Sequence, residues 1–142
     1  MIVAIDTNVI VYAMTGGPKV QVPAHAWLDR LDSLGALLVT SGLARLECLV
    51  RPRRLGRPDE EAMFAQFFER VFVVPVSDDV LDVAATIRGE KRSLRTPDAI
   101  HLATAQVTQA DLFLTGDRRL KSFKPLKVVS VLVDPPNLID VS

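Results

Sequence analysis

Residues 2–8 of the chain are Ile2-Val3-Ala4-Ile5-Asp6-Thr7-Asn8. Three of the four apolar residues are β-branched, and a short uninterrupted run of this kind is typical of a strand buried on both faces. Strands of that kind belong to parallel sheets, which helices cover on each side. The stretch therefore predicts an α/β fold, with Asp6 directly after the first strand.

Four further apolar runs are each bounded by Gly, Pro, Ser or charged residues. They are Ala36–Val39, Val71–Val76, Leu112–Leu114 and Val128–Val133. Segments with helical spacing lie between the runs: Val9–Met14, Ala24–Leu34 after Pro23, Ser41–Leu49, Glu60–Arg70 after Pro58-Asp59, a segment capped by Ser77, and one opened by Thr96-Pro97-Asp98. Gly16–Pro18 and Pro52–Pro58 are expected to be loops. We expect one α/β domain over residues 1–142, with a five-stranded, mainly parallel sheet and helices on both faces.

Composition narrows the class of protein. The chain has 142 residues, of which 49% are hydrophobic and 24% charged, as in an ordinary globular domain. Its single cysteine, Cys48, excludes an internal disulfide, and zinc-site spacings are missing. The apolar start is interrupted at Asp6, too early for a signal peptide or a membrane span, so a soluble cytoplasmic protein with no membrane partner is expected.

Four acids stand where this architecture binds ligands, at the carboxyl ends of parallel strands. Asp6 and Asp117 follow the first and fourth strands, and Glu47 and Asp98 lie in helices that follow the second and third. Each acid alone has a simpler explanation. Asp6 fits a helix N-cap, Asp98 fits a helix first turn, and Gly116-Asp117 fits a plain turn. Their joint placement favours one acidic centre.

Glu47 stands in an apolar pattern. Leu43, Leu46, Glu47 and Val50 have the i, i+3, i+4, i+7 spacing of a buried helical stripe. A carboxylate among buried leucines is costly unless it is paired or bound to a cation. The alternative is an exposed pair with Arg51 at i+4, worth only about 0.3 to 0.5 kcal/mol.

The chain resembles the PIN-domain nucleases and, within them, the VapC-type toxins of toxin–antitoxin pairs. The likeness rests on Ile5-Asp6-Thr7-Asn8-Val9, the Ser41–Leu49 helix with Glu47, the segment Thr96–Ala105, and Thr115-Gly116-Asp117. It implies that Asp6, Glu47, Asp98 and Asp117 are the catalytic acids and hold Mg²⁺ or Mn²⁺. Asn8 and Thr115 would be neighbours that support the acids from behind or form hydrogen bonds at the site. His101, at i+3 from Asp98, is expected to support the site rather than to bind the ion.

The chemistry of the acids agrees with that implication. Carboxylates about 5 Å apart repel each other by roughly 3 kcal/mol per pair at an effective dielectric of 20. Protons or a hard divalent ion must neutralise them, and oxygen-only ligands favour Mg²⁺ or Mn²⁺ over zinc. Such an ion supports phosphodiester hydrolysis. The prediction is a metal-dependent ribonuclease.

Basic residues cluster beside the acids, although the net charge is zero because 17 Lys and Arg balance 17 Asp and Glu. Arg51 follows Glu47, Arg95 precedes Asp98, and Arg119 follows Asp117. We expect these three arginines to contact RNA phosphates around the centre, unless they are simply solvated.

Rival functions remain at this point. An aspartyl-phosphate phosphatase would want an acid where Asn8 stands, and a signalling receiver domain would want a lysine after strand five. A protein-binding module, or an RNA-processing nuclease that is no toxin, stays open. One helix carries Met63, Phe64, Phe67 and Phe68. At least half of these should pack in the core, and the rest could meet an antitoxin or a second copy in a homodimer.

Overall fold

The computed structural model describes residues 1–139, so the last three residues of the predicted domain 1–142 lie outside it. Its five strands are β1 (Ile2–Ile5), β2 (Leu37–Ser41), β3 (Phe72–Val74), β4 (Leu112–Thr115) and β5 (Val128–Ser130). They form one sheet in the order β3-β2-β1-β4-β5, and every neighbouring pair is parallel. The predicted α/β class and five-stranded parallel sheet are confirmed.

Six helices connect the strands: α1 (Thr7–Thr15), α2 (Pro18–Ser33), α3 (Gly42–Arg54), α4 (Pro58–Glu69), α5 (Asp78–Glu90) and α6 (Thr96–Val107). Two short 3₁₀ helices, Arg118–Ser122 and Pro136–Leu138, follow β4 and β5. Ser41 and Ser77 cap α3 and α5 through their hydroxyl oxygens, as polar caps at these positions predict.

Strand residues alternate between two cores, one on each face of the sheet. Val3 and Ile5 of β1 pack with α1 to α4, where Trp27 is fully buried. Ala4 packs on the opposite face with α5 and α6. Residues 99–105 of α6 are all buried, since this helix lies between the sheet and α5. Helices therefore cover both faces, as predicted.

The strand order creates a crevice at the carboxyl edge of the sheet. The chain moves from β1 outward to β2 and β3, then returns to place β4 on the other side of β1. Connections after β1 and β4 therefore leave in opposite directions, and ligands of open α/β sheets bind at such a point. Asp6 and Asp117 follow these two strands.

Two strands are shorter than predicted. The run Val71–Val76 contributes only Phe72–Val74, because Pro75 has no N–H to donate to a neighbouring strand. The run Val128–Val133 contributes only Val128–Ser130. The chain turns there, because the amides of Val133 and Asp134 donate to the Ser130 carbonyl and the Asp134 carboxylate accepts from the Ser130 amide. The strand predicted at Ala36–Val39 begins one residue and ends two residues too early, since β2 spans Leu37–Ser41.

Two prolines lie inside helices, where the sequence predicted boundaries. Helix α2 begins at Pro18 rather than after Pro23, with Gly17 as its N-cap. The bond that Pro23 forfeits would go to the carbonyl of Lys19, in the exposed first turn, where water can replace it. Helix α3 runs through Pro52, whose ring is buried, so only Leu55–Arg57 remain of the predicted Pro52–Pro58 loop. Among the described residues, no helix is both long and apolar enough to cross a membrane.

Candidate metal centre

All four predicted acids line one cavity of about 430 Å³ at the carboxyl edge of the sheet. Asp6, Glu47, Asp98 and Asp117 come from four different connections, and no two of them lie on opposite edges. Asn8, Arg95 and His101 line the same cavity.

Asp6 is the most deeply placed acid, only 7% exposed. It caps α1, since its Oδ1 accepts a hydrogen bond from the Thr7 amide at 2.8 Å. Its Oδ2 accepts from the Thr115 hydroxyl at 2.8 Å. Burial raises the pKa of Asp6, and the nearby Asp98 charge adds to that, although His101, Thr115 and Thr7 oppose the rise. Asp6 is thus both a helix cap and the floor of the cavity.

Thr115 and Asn8 hold the turn that carries Asp117. The Asp117 amide donates to the Thr115 hydroxyl at 3.0 Å, so Thr115 links two of the acids. The Asn8 Oδ1 accepts from the Gly116 amide at 2.7 Å. Thr115 therefore contacts Asp6 and the Asp117 amide, whereas Asn8 contacts the turn before Asp117; the supporting roles of both residues stay predictions.

Glu47 binds across the cavity rather than along its own helix. Its Oε1 accepts from the Thr7 hydroxyl at 2.8 Å and lies 2.7 Å from His101 Nε2. Burial alone would raise the pKa of Glu47, but the His101 and Thr7 contacts outweigh it and lower that pKa. Burial likewise opposes the charged form of His101, but Glu47 and Asp6 outweigh it and raise the His101 pKa. No ion pair joins Glu47 to Arg51 within the described residues, so the alternative of an i+4 pair is wrong.

The predicted buried stripe on α3 is also wrong. Leu46 is 60% exposed and Val50 is 42% exposed, whereas Ala44, Cys48 and Leu49 face the core. The helix packs against α1 and α4 through this second face, which leaves Glu47 at the edge of the contact with its carboxylate toward His101. The three phenylalanines of α4 are buried and Met63 is 40% exposed, which confirms core packing for most of the aromatic stripe.

Arginines hold the two remaining acids. Asp98 accepts from the Arg95 amide at 3.3 Å and lies 3.7 Å from the Arg95 guanidinium. Asp117 takes a two-pronged pair from Arg119, with Nη2 to Oδ2 at 2.6 Å and Nε to Oδ1 at 3.0 Å. The Arg119 guanidinium lowers the pKa of Asp117, and the Asp117 carboxylate in turn raises the pKa of Arg119.

These partners keep the carboxylates apart. Within residues 1–139, no three acidic, histidine or cysteine side chains are grouped closely enough to hold one ion together. The expectation that all four carboxylates lie within reach of one ion is therefore not met as the side chains stand. Glu47 faces His101 and Asp117 faces Arg119, so these two side chains would have to rotate before all four carboxylates could bind one ion.

Of the three arginines predicted to contact RNA, Arg95 lines the cavity that holds the four acids. Arg119 lines two neighbouring cavities, one of which shares Asp98 with the first cavity and the other Asp117. Arg51 is not among the residues around these cavities, and its role stays a prediction. Farther along the same tract, Arg53 pairs with Glu61 and Arg57 with Glu60.

Sequence reasoning missed Thr7 and Tyr12 as parts of the site. Thr7 bridges Glu47 and the Asp6 turn, and Tyr12 lines the cavity. Helical spacing could have indicated Tyr12, because it is four residues after Asn8 and so lies on the same face of α1.

An all-parallel sheet with four acids around the crevice between β1 and β4 defines an α/β domain with an acidic cavity at the carboxyl edge of its sheet. The model of the PIN domain family matches residues 3–124, and the chain belongs to that family. The resemblance inferred from the sequence is thus confirmed.

Among known proteins, the chain is 29% identical to Ribonuclease VapC47 of Mycobacterium tuberculosis over 119 residues, which are 82% of this chain and 85% of the relative. The structure of VapBC2 from Rickettsia felis bound to a promoter DNA fragment superposes with a TM-score of 0.77 at 17% identity, covering 92% of this chain and 98% of that one. VapC20 of Mycobacterium tuberculosis, described as a sarcin-ricin loop cleaving toxin, gives 0.68 at 20% identity, with 94% and 99% covered. At these identities the two structures support the fold alone.

Proposed function

We propose that this PIN domain is a ribonuclease, that it hydrolyses RNA phosphodiester bonds with a bound Mg²⁺ or Mn²⁺, and that it serves as the toxin of a toxin–antitoxin pair. The observation that carries the proposal is the convergence of Asp6, Glu47, Asp98 and Asp117 on one cavity. A relative described as a ribonuclease supports the choice of RNA.

The side chains present fit a hard divalent cation. The four acids offer carboxylate oxygens to a metal ion, and oxygen is the ligand atom that Mg²⁺ and Mn²⁺ prefer. Burial beside a second carboxylate raises the pKa of Asp6, so its ionised form needs a positive neighbour. Asp6 and Asp98 would hold the ion, with Glu47 and Asp117 joining them after rotation. When bound, the ion would polarise the scissile phosphate and lower the pKa of an attacking water.

The other residues orient these groups. Thr115 and the Thr7 amide fix both oxygens of Asp6, and Asn8 fixes the turn before Asp117. Arg95 and Arg119 would contact RNA phosphates, since guanidinium groups bind phosphate oxygens through two parallel hydrogen bonds. In that role Arg119 would exchange its Asp117 partner for the substrate.

The toxin assignment draws on the relatives, several of which were solved as toxin–antitoxin complexes. An antitoxin needs a surface, and α3 offers one. Leu46 and Val50 are exposed and lie between Arg45 and Arg53 around a shallow groove. That combination suits a partner segment with apolar and acidic side chains.

The test is cleavage of RNA by the purified protein. We expect cleavage with Mg²⁺ or Mn²⁺ and none with a chelator. Asp98→Asn keeps the shape of the side chain but removes a ligand charge, and should lower the rate by orders of magnitude. Asp82→Asn is the matched control, since Asp82 is exposed on α5. Full activity in Asp6→Asn or Asp98→Asn would refute the assignment of the site.

The toxin role is tested in cells. Induced expression should arrest growth for the wild type and not for Asp98→Asn. Growth arrest by both proteins would mean that toxicity does not come from this site.

A further inference from the structure

A second cavity, of about 220 Å³, opens beside the acidic cavity, and we name it the side pocket. Asp98 lines both cavities, so they meet at the proposed metal centre. The floor of the side pocket is apolar and consists of Leu94, Leu120 and Phe123. Of its lining residues, the hydrolysis proposed above uses only Asp98 and Arg119, which leaves the apolar floor without a role.

The walls of the side pocket are held in place by the fold. Leu120 and Phe123 are 2% and 4% exposed and are anchored in the core on the α5–α6 face of the sheet. Across from them, Arg88 donates to the Leu94 carbonyl at 3.1 Å and to the Thr96 hydroxyl at 2.9 Å, which ties down the loop between α5 and α6. The pocket is therefore formed before any ligand arrives.

The rim carries uncommitted polar groups. Lys91 and Ser93 line the pocket and are exposed, and neither side chain makes a hydrogen bond or ion pair with another of residues 1–139. An apolar floor with a few free polar groups at its edge is the usual composition of a site for a small, flat organic ligand. Its volume is below the roughly 300 to 1,000 Å³ of the pockets that hold drug-sized ligands, which suits one planar ring system.

We propose that the side pocket binds the base of the nucleotide next to the scissile phosphate and prefers guanine. This inference rests on the proposed ribonuclease function, which supplies an RNA strand at Asp98. Sequence-specific proteins recognise single-stranded RNA by drawing unstacked bases into such pockets. The Lys91 ammonium only donates hydrogen bonds, and guanine presents two adjacent acceptors, O6 and N7, to such a donor.

The first experiment reads base preference from cleavage. A randomised single-stranded RNA pool is cut with Mg²⁺, and the new ends are sequenced. We expect guanine to be enriched at one position beside the cut by the wild type. Lys91→Met removes the donor but keeps the length of the chain, and should reduce that enrichment about tenfold. Lys127→Met is the matched control, because Lys127 precedes β5 at the opposite edge of the sheet.

The second experiment needs no activity. Guanosine and uridine monophosphates are titrated into the metal-free protein while backbone amide signals are followed by NMR. Guanosine monophosphate should shift the signals of Leu94, Leu120 and Phe123 at lower concentration than uridine monophosphate. Ser93→Trp, which fills the mouth of the pocket, should abolish these shifts while the remaining spectrum shows an intact fold.

The outcomes separate the two proposals. If Lys91→Met and Ser93→Trp still cleave RNA and keep the base preference of the wild type, the proposal of a base-binding pocket is wrong. The proposed ribonuclease function would be unaffected. An equal loss of guanine enrichment in Lys91→Met and Lys127→Met would mean that Lys91 acts only through its charge. That result would also contradict the base-binding proposal. Failure of the wild type to cleave any RNA would overturn the ribonuclease, and the pocket with it.

Discussion

At the scale of single residues, the centre depends on neutral and basic neighbours that fix where each carboxylate points. Thr115 touches Asp6 and the Asp117 amide, and His101 touches Glu47 and Thr7. His101 is 3% exposed, and within the described residues its Nδ1 has no hydrogen-bond partner. Its hydrogen bonds are therefore all made through Nε2, toward Glu47 and Thr7, and Asp6 Oδ1 lies 3.9 Å from the same nitrogen.

From these contacts we predict that His101→Ala weakens Mn²⁺ binding and RNA cleavage about 10- to 100-fold, by freeing Glu47 to leave the cavity. The loss should be smaller than in Asp98→Asn. His101→Gln can still donate to Glu47 and should recover part of it. Calorimetric Mn²⁺ titrations and cleavage rates check this. Equal losses in His101→Ala and Asp98→Asn would instead indicate that His101 takes part directly in the reaction.

At the scale of elements, the turn after β4 sets the position of Asp117. Asn8 on α1 accepts from its Gly116 amide. The ring of Tyr12, also on α1, lies so close to Gly116 that an added Cβ would clash with it. Glycine is therefore required here by the approach of a neighbouring side chain rather than by a positive φ angle.

Two alanine substitutions should have opposite effects. Gly116→Ala forces Tyr12 or the turn to move and should cost about 1 to 3 kcal/mol of unfolding free energy. Gly89→Ala, in α5, meets nothing within 4 Å and should stabilise by up to about 1 kcal/mol. Denaturant unfolding measures both. Gly116→Ala should also lower the cleavage rate, and a fully stable, fully active variant would contradict the packing.

The turn after β5 is a second element that depends on one acid. Asp134 accepts from Lys121 Nζ at 2.7 Å and from the buried Ser130 amide at 2.9 Å, and its carbonyl accepts from Trp27 Nε1. Partial burial opposes the charged form of Asp134, but Lys121 and Ser130 outweigh it and lower its pKa. Its contribution to stability is then present above the ordinary aspartate pKa, about 3.9, and is lost as the pH falls through the lower folded value.

Asp134→Ala should accordingly lower the unfolding free energy at pH 7 by about 1 to 3 kcal/mol, mainly because the Ser130 amide loses its acceptor. The difference from wild type should shrink at pH 3 and below. Asp82→Ala, which removes an exposed acid from α5, serves as the control and should change little. Denaturant unfolding at pH 7 and pH 3 measures the difference in unfolding free energy between variant and wild type. A difference that grows toward acid pH would contradict the predicted pH dependence.

At the scale of the whole molecule, the chain has zero net charge, so the proposed ribonuclease would have to hold a polyanion through local charge. Arg95 lines the acidic cavity, and Arg119 lines the cavity beside it. Arg53 and Arg57 instead form ion pairs with two glutamates in the first turn of α4. We therefore expect RNA to meet positive charge mainly in the segments before Asp98 and after Asp117.

RNA affinity across a salt series tests this distribution. In the Asp98→Asn background, log affinity should fall with log salt by about 0.7 per phosphate contacted. Arg95→Gln and Arg119→Gln together should flatten the slope, and Lys127→Gln should not. Arg51→Gln tests the remaining predicted contact, which does not line these cavities. Identical slopes for all variants would leave RNA capture to other residues.

The sequence alone determined the α/β class, the parallel sheet and the identity of the four acids that line the cavity. Those features follow from local signals, because an apolar run, a helix cap or an acid after a strand is encoded within a few residues. Asp6 and Asp117 could be placed in this way from their positions after β1 and β4.

Only the tertiary structure decided which partner each side chain takes. Glu47 meets His101, 54 residues away, rather than Arg51 one turn along, because an exposed i+4 pair is worth a few tenths of a kcal/mol and any buried contact can outweigh it. The exposed face of α3, with Leu46 and Val50, follows from where that helix packs. Spacing indicates that a helix has an apolar face, but the contact that buries it forms between distant segments, so the buried face is decided by packing.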